Sequence, residues 1–423
     1  SLARMSTNLY SESGYTLLES RAYFDIPASG DGTDGTNFDA TQYGYDDMGR
    51  RWRTKDATGT ISRQSFDSIG RPLATYIGTN DSGFAGGEPS GTDDMVKVSE
   101  TVYDTGATGG NSYVTKRTTF VEDSTTDERV TDYTNDGRGR AVIIAPPAGP
   151  VILNKYDNFS RVVAVGQYSS TANITVASDP TTETDDRIGL SQTFFDAKGQ
   201  VWKTQTHQMY DSTGRNIKTV GSSIMKTRYD RLGRATHSFV LARTDDPSPS
   251  SGTSYAAAST IVDDIVLEEM QTIYDDDDLV VMSVSVMRDP DDVGGSQTTG
   301  ELDTNADTDD LLVTAANVSG RVDIAAFWYD DWRRQVDTVN YGTYGGSNFD
   351  RDGLSVPARS DTALRTTTAF NDDGTVLSMT DPEGIETRYA YDDLGRQITV
   401  ISNYADGSPG GGANDDEDQV VQT

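Results

Sequence analysis

The sequence predicts an all-β fold: a ribbon of tandem β-hairpins winding into a spiral or shell-like wall, with surface insertions rich in Ser, Thr, Gly and Asp. Three observations predict it. The hexapeptide YDDMGR at residues 45–50 returns as FDSIGR at 66, YDSTGR at 210, YDRLGR at 229 and YDDLGR at 391. Many of the gaps between its aromatic positions, with weaker copies included, sit near 20 residues or near twice that. The segments between them are rich in Thr, Val, Ile and Tyr. A fixed period marks a repeat architecture, and about 20 residues hold two strands of about eight with their two turns.

The hexapeptide itself reads as a hairpin tip. In Tyr45, Asp46, Asp47, Met48, Gly49, Arg50, an Asp three residues before a Gly suits a type I turn, with the Gly in the left-handed conformation that closes a three-residue loop with a bulge. Such a tip is expected to set Tyr45 opposite Arg50 across two strands, with the Arg stem on the ring. The same roles fall to Phe66, Asp67, Gly70 and Arg71, to Tyr210, Asp211, Gly214 and Arg215, to Tyr229, Asp230, Gly233 and Arg234, and to Tyr391, Asp392, Gly395 and Arg396. All are read as residues that specify the fold, not as catalysts. Weaker copies begin at Tyr133, Tyr156, Phe195, Tyr274, Tyr329 and Phe370; those at Tyr156, Tyr274 and Tyr329 lack the Gly, which leaves their turn type open.

Between tips, RWRTKDATGTISRQSF (51–66) and VLSMTDPEGIETRYAY (376–391) each carry a polar, Gly-containing turn at the middle, so a unit reads strand, turn, strand, tip. The clearest repeats, 43–76, 195–240 and 366–402, belong to one ribbon over 1–406, and 407–423 reads as an acidic, Gly-rich linker or tail. Residues 78–94, 169–186, 243–260, 287–310 and 344–353 are dense in small and polar residues and read as surface loops. VDDIVLEEM (262–270) fits a strand or a short helix, with the strand favoured.

Composition narrows the function. With 423 residues, 34% of them hydrophobic, the chain can bury a substantial core. A net charge of −32 repels phosphate backbones, so nucleic acid is not an expected partner. No run approaches the roughly 20 apolar residues of a membrane span. The absence of Cys removes disulfides, thiol nucleophiles and thiolate-bound zinc. Only His207 and His237 offer imidazole, and no Gly-rich stretch follows a strand and opens a helix, so no enzyme is expected. Asp303, Asn305, Asp307 and Asp309 reproduce the alternating oxygen ligands of a calcium loop, although Thr308 and Thr314 stand where such a loop needs Gly and a bidentate Glu. A solvated acidic loop is the simpler reading of them, and no other cofactor is implied. Trp52, Trp202, Trp328 and Trp332 suit core packing, or a sugar-binding surface if exposed.

The array of tips, with DPEGIETRYAYDDLGR (381–396) as its clearest unit, resembles the YD-repeat or RHS family. That family includes the shells of bacterial polymorphic toxins, the B and C components of insecticidal Tc complexes, wall-associated bacterial proteins and the teneurin adhesion receptors. The resemblance implies a spiral ribbon of hairpins with stacked tip aromatics, outside the cell or on its surface after bacterial-type secretion. The self-cleaving aspartyl segment and toxic domain of the large members are not seen. The expected function is a non-enzymatic structural or adhesive protein that assembles head to tail through unpaired ribbon edges. The alternative is a segment of a shell that encapsulates a toxin for delivery. The expected partners are accordingly other copies of the chain, cell-surface glycans or a toxin cargo.

Overall fold

A computed structural model describes residues 5–84, 89, 92–104, 112–121, 128–207, 223–241, 261, 264–289, 299–304, 312–314, 317–404 and 419–422. These residues form strands and turns, with one 3-10 turn at Tyr344–Gly346 and no α-helix. No helix is long and apolar enough to cross a membrane. The chain divides into two compact units, Ser1–Leu190 and Ser191–Thr423.

In the first unit twelve strands run from Met5–Tyr10 to Val162–Tyr168, each pairing antiparallel with the next. The second unit repeats the plan with twelve strands from Val201–His207 to Gln419–Gln422. A separate small pair joins Leu312–Val313 to Phe349–Asp350. Within the range 407–423, Gln419–Gln422 is a strand paired with Gln397–Ser402. The segment 262–270 enters the strand Val266–Tyr274.

Successive antiparallel connections fall at alternate edges of a sheet. In each unit the described Tyr-Asp tips therefore occupy one edge, and the longer insertions the other. The strands alternate as a one-sided sheet requires: along Val280–Met287, Met282, Val284 and Val286 are buried while Ser285 is exposed. In the second unit these three pack with Ile324, Ala326, Val339 and Tyr341 in one apolar core; the first unit has smaller clusters around Leu153, Tyr76 and Phe38.

The insertions are not plain surface loops. Ile174 of 169–186 packs into the core with Leu153 and Tyr168. Phe84 of 78–94 sits edge-on against Tyr76 at 5.0 Å, and Asp81 of the same insertion bridges Arg53 and Arg63 at 2.6 and 2.7 Å. Leu302 of 287–310 and Phe349 of 344–353 join the second core. A sheet built of short hairpins leaves one face open to water, and each of these four insertions folds an apolar side chain back over it, a burial that contributes roughly 2 kcal/mol per side chain. The range 243–260 lies outside the described residues.

Candidate functional site

The tips share one hydrogen-bonded frame. At the first of them, Asp46 N donates to Arg50 O at 3.0 Å and Gly49 N to Asp46 O at 2.9 Å. The Asp46 carboxylate accepts from Met48 N, from Arg50 N and, at 2.6 Å, from Arg50 Nε. The side chain of one Asp thus closes the turn and fixes the outgoing Arg. The same Asp–Arg pair recurs at Asp67 and Arg71, Asp136 and Arg140, Asp157 and Arg161, Asp230 and Arg234, Asp330 and Arg334, and Asp392 and Arg396. At Asp46, partial burial alone would raise the carboxyl pKa, but the bonds from Arg50 and Met48 outweigh it and hold the group below its ordinary value. Tyr210, Asp211, Gly214 and Arg215 lie outside the described residues.

The ring beneath each Arg is not the one expected. Asp46 and Arg50 close the turn together, so Tyr45 pairs with Arg51 instead of Arg50, and Trp52 bulges just beyond that pair. Arg50 reaches the next hairpin and lies over Phe66 at 4.6 Å. Arg71 covers Tyr103, Arg140 covers Tyr156, Arg234 covers Tyr274 and Arg334 covers Phe370, at 4.2–4.6 Å. Where the covered ring is a tyrosine, its hydroxyl donates to the carbonyl just after that Arg: Tyr103 to Pro72, Tyr156 to Ala141 and Tyr274 to Ala235. One motif therefore closes its own turn and clasps its neighbour. At the degenerate tips the turn survives without Gly, because Ser160, Asp278 and Arg333 themselves adopt φ of 64°, 66° and 65°.

The residue just before the left-handed position points to solvent. Met48, Ile69, Phe159, Leu232, Trp332 and Leu394 all stand there, each 68–82% exposed. Sequence reading passed over this position because it examined the invariant letters of the tip. Of the four tryptophans, Trp202 is buried, Trp328 is half-buried with Nε1 donating to Leu354 O, Trp52 lies beneath Arg63, and only Trp332 is exposed.

A second cluster lies inside the second unit. His237 on Ala235–Leu241, Glu269 on Val266–Tyr274 and Glu301 in the following insertion each present one ligand atom, all within 4.8 Å of one another. Gln271 Nε2 and Leu302 N hold the Glu269 carboxylate at 2.9 and 2.6 Å, and Arg228 pairs with Glu301. Burial pushes Glu269 up to about 7. Burial, with the Arg228 charge second, drives His237 down to about 3, so the imidazole is neutral. His207 is also buried, with Nε2 2.7 Å from Gln192 Oε1. Sequence reading had His237 but no sign of its acidic partners. Asp303 is buried beside this cluster, its N 3.4 Å from Glu269 Oε2; Asn305, Asp307 and Asp309 lie outside the described residues.

Against known families, residues 370–409 match the model of the RHS Repeat. That stretch holds the tip from Tyr391 to Arg396. No curated protein matches the chain. Among solved structures it is similar to a TcdB2-TccC3 complex without its hypervariable C-terminal region, at 12% identity and a TM-score of 0.34 over 92% of this chain and 20% of that one. It is similar also to a Photorhabdus luminescens Tc holotoxin pore, at 12% identity and a TM-score of 0.29 over 95% and 23%. A porin-like protein from Bacteroides uniformis follows at 11% identity and a TM-score of 0.15, over 70% and 86%. The chain spans about a fifth of the length of the toxin chains it matches.

Proposed function

We propose that this RHS-repeat chain is a wall: an extracellular or cell-surface structural protein with no reaction of its own, whose work is to make a continuous sheet that other copies or further repeats extend. The observation that carries this is the clasp between tips. Each Arg–ring contact ties one hairpin to the next along the tip edge, so the repeat is built to propagate rather than to shape a pocket. The strand Met5–Tyr10 supports the extension, because it pairs on one side only among the described residues and carries neither charge nor Pro.

Electron microscopy of the purified chain at high concentration tests the reading. Filaments with a regular axial repeat are expected if copies add head to tail, and hollow particles if the wall closes around a cargo, which would make the chain part of a toxin-type shell. Compact monomers alone, across salt and divalent-ion conditions, would overturn self-association.

A further inference from the structure

The tips leave His237 unexplained. This side chain is 8% exposed, and among the described residues neither of its ring nitrogens has a hydrogen-bond partner. Leaving such atoms dry and unbonded is costly, and buried polar groups in folded proteins almost always find a partner. Around the ring stand two carboxylates that the fold has already aimed. Phe239 pairs with Glu269 across adjacent strands, which sets Glu269 diagonally from His237 on the same face. Glu301 arrives from the insertion, one residue before Leu302, whose own N–H holds Glu269.

We propose that His237, Glu269 and Glu301 bind one zinc-class divalent cation inside the second unit. A mixed imidazole and carboxylate set suits zinc and its neighbours over calcium or magnesium, which prefer oxygen alone. Three protein ligands leave a fourth position for water. Ligand atoms of a tetrahedral zinc stand roughly 3.3 Å apart, so atoms now within 4.8 Å need only close up around the ion. Hydrogen bonds from Gln271, Leu302 and Arg228 orient the carboxylates as outer partners do in metal sites. Arg228 is the one cationic group paired with a ligand, and two carboxylates outweigh it; Lys226 nearby is paired with Asp264 at 2.6 Å. The ion would pin an insertion to two strands, a structural role that needs no turnover.

Titration calorimetry with Zn²⁺ on the chelator-treated full chain, together with thermal melts, decides the matter. The native chain is expected to take up one Zn²⁺ and melt higher with it. His237→Asn, close in shape to the imidazole, and Glu301→Gln should each weaken binding by at least about 100-fold and abolish the shift. His207→Gln, at the other histidine, should leave both unchanged. Far-UV dichroism confirms that the variants fold, and the isosteric changes keep the test open if His237→Ala does not. No uptake by the native chain, or uptake as tight in His237→Asn as in native protein, overturns the site and assigns any binding to the acidic surface.

Discussion

At the scale of the residue, the turn tolerates what glycine usually supplies. Ser160 holds φ of 64° at the place where Gly49 holds 78°. A side chain in that region is strained by about 1 kcal/mol, so Ser160→Gly should stabilise by about 0.5–1 kcal/mol in urea denaturation. Gly49→Ala should cost a similar amount although nothing lies within 4 Å of the new Cβ, because the penalty is one of backbone, not of space. The tip aspartates give a second residue-scale test. At Asp157, burial favours the neutral form, but bonds from Arg161 and from Phe159 N outweigh it and lower the pKa below 3.8. A lowered folded pKa adds stability that is whole above the unfolded value and is lost as pH falls through the folded one. The destabilisation of Asp157→Asn should therefore be largest near neutrality and shrink below about pH 4; a penalty independent of pH would refute the ion-pair account.

At the scale of the element, the clasp makes the position of a tip matter. Arg140 has the Asp136 carboxylate at 2.6 Å, the Tyr156 ring at 4.6 Å and the Asp157 carbonyl at 3.1 Å. Arg396 has the same Asp pair but is 73% exposed, with no ring contact among the described residues. Arg140→Ala should cost about 1–2 kcal/mol and Arg396→Ala less than about 0.5, measured as shifts in denaturation midpoint. Equal costs would mean that the Asp pair alone carries the motif. This is also where sequence reading reached its limit. Asp, Gly and the strand periodicity are local, and their geometry could be read from six letters. The partner of Arg50 could not, because Arg50 closes the turn against Asp46, out of register with Tyr45, and reaches Phe66 on the next hairpin. The lids were hidden for a different reason. Ile174 and Phe349 are apolar residues in mostly polar stretches, and composition averages them away. The buried cluster was hidden by distance: Glu269 and Glu301 stand 32 and 64 positions beyond His237, two among 67 acidic residues.

At the scale of the whole molecule, the acidic chain must reconcile a net charge of −32 with sheets that invite addition. Like charge keeps copies apart at long range, and salt shortens that range to about 8 Å at physiological strength. Backbone pairing at an edge acts only on contact. Edge strands that must not pair usually carry Lys, Pro or a bulge, whereas Met5–Tyr10 reads MSTNLY, with Leu9 and Tyr10 about half exposed. If this edge is where the wall grows, association should strengthen as salt screens the charge. It should then weaken in Thr7→Pro, which removes a backbone donor, and in Leu9→Lys, which adds charge to the edge. Sedimentation velocity across a salt series reads both effects. Because the altered residues lie at the rim of the first unit, away from its clusters around Tyr76 and Leu153 and at the margin of the one around Phe38, the thermal midpoint should move less than the association constant. Association that persists unchanged in both variants would move the growing surface away from the strand edge, and the exposed tip residues from Met48 to Leu394 would then be the next surface to alter.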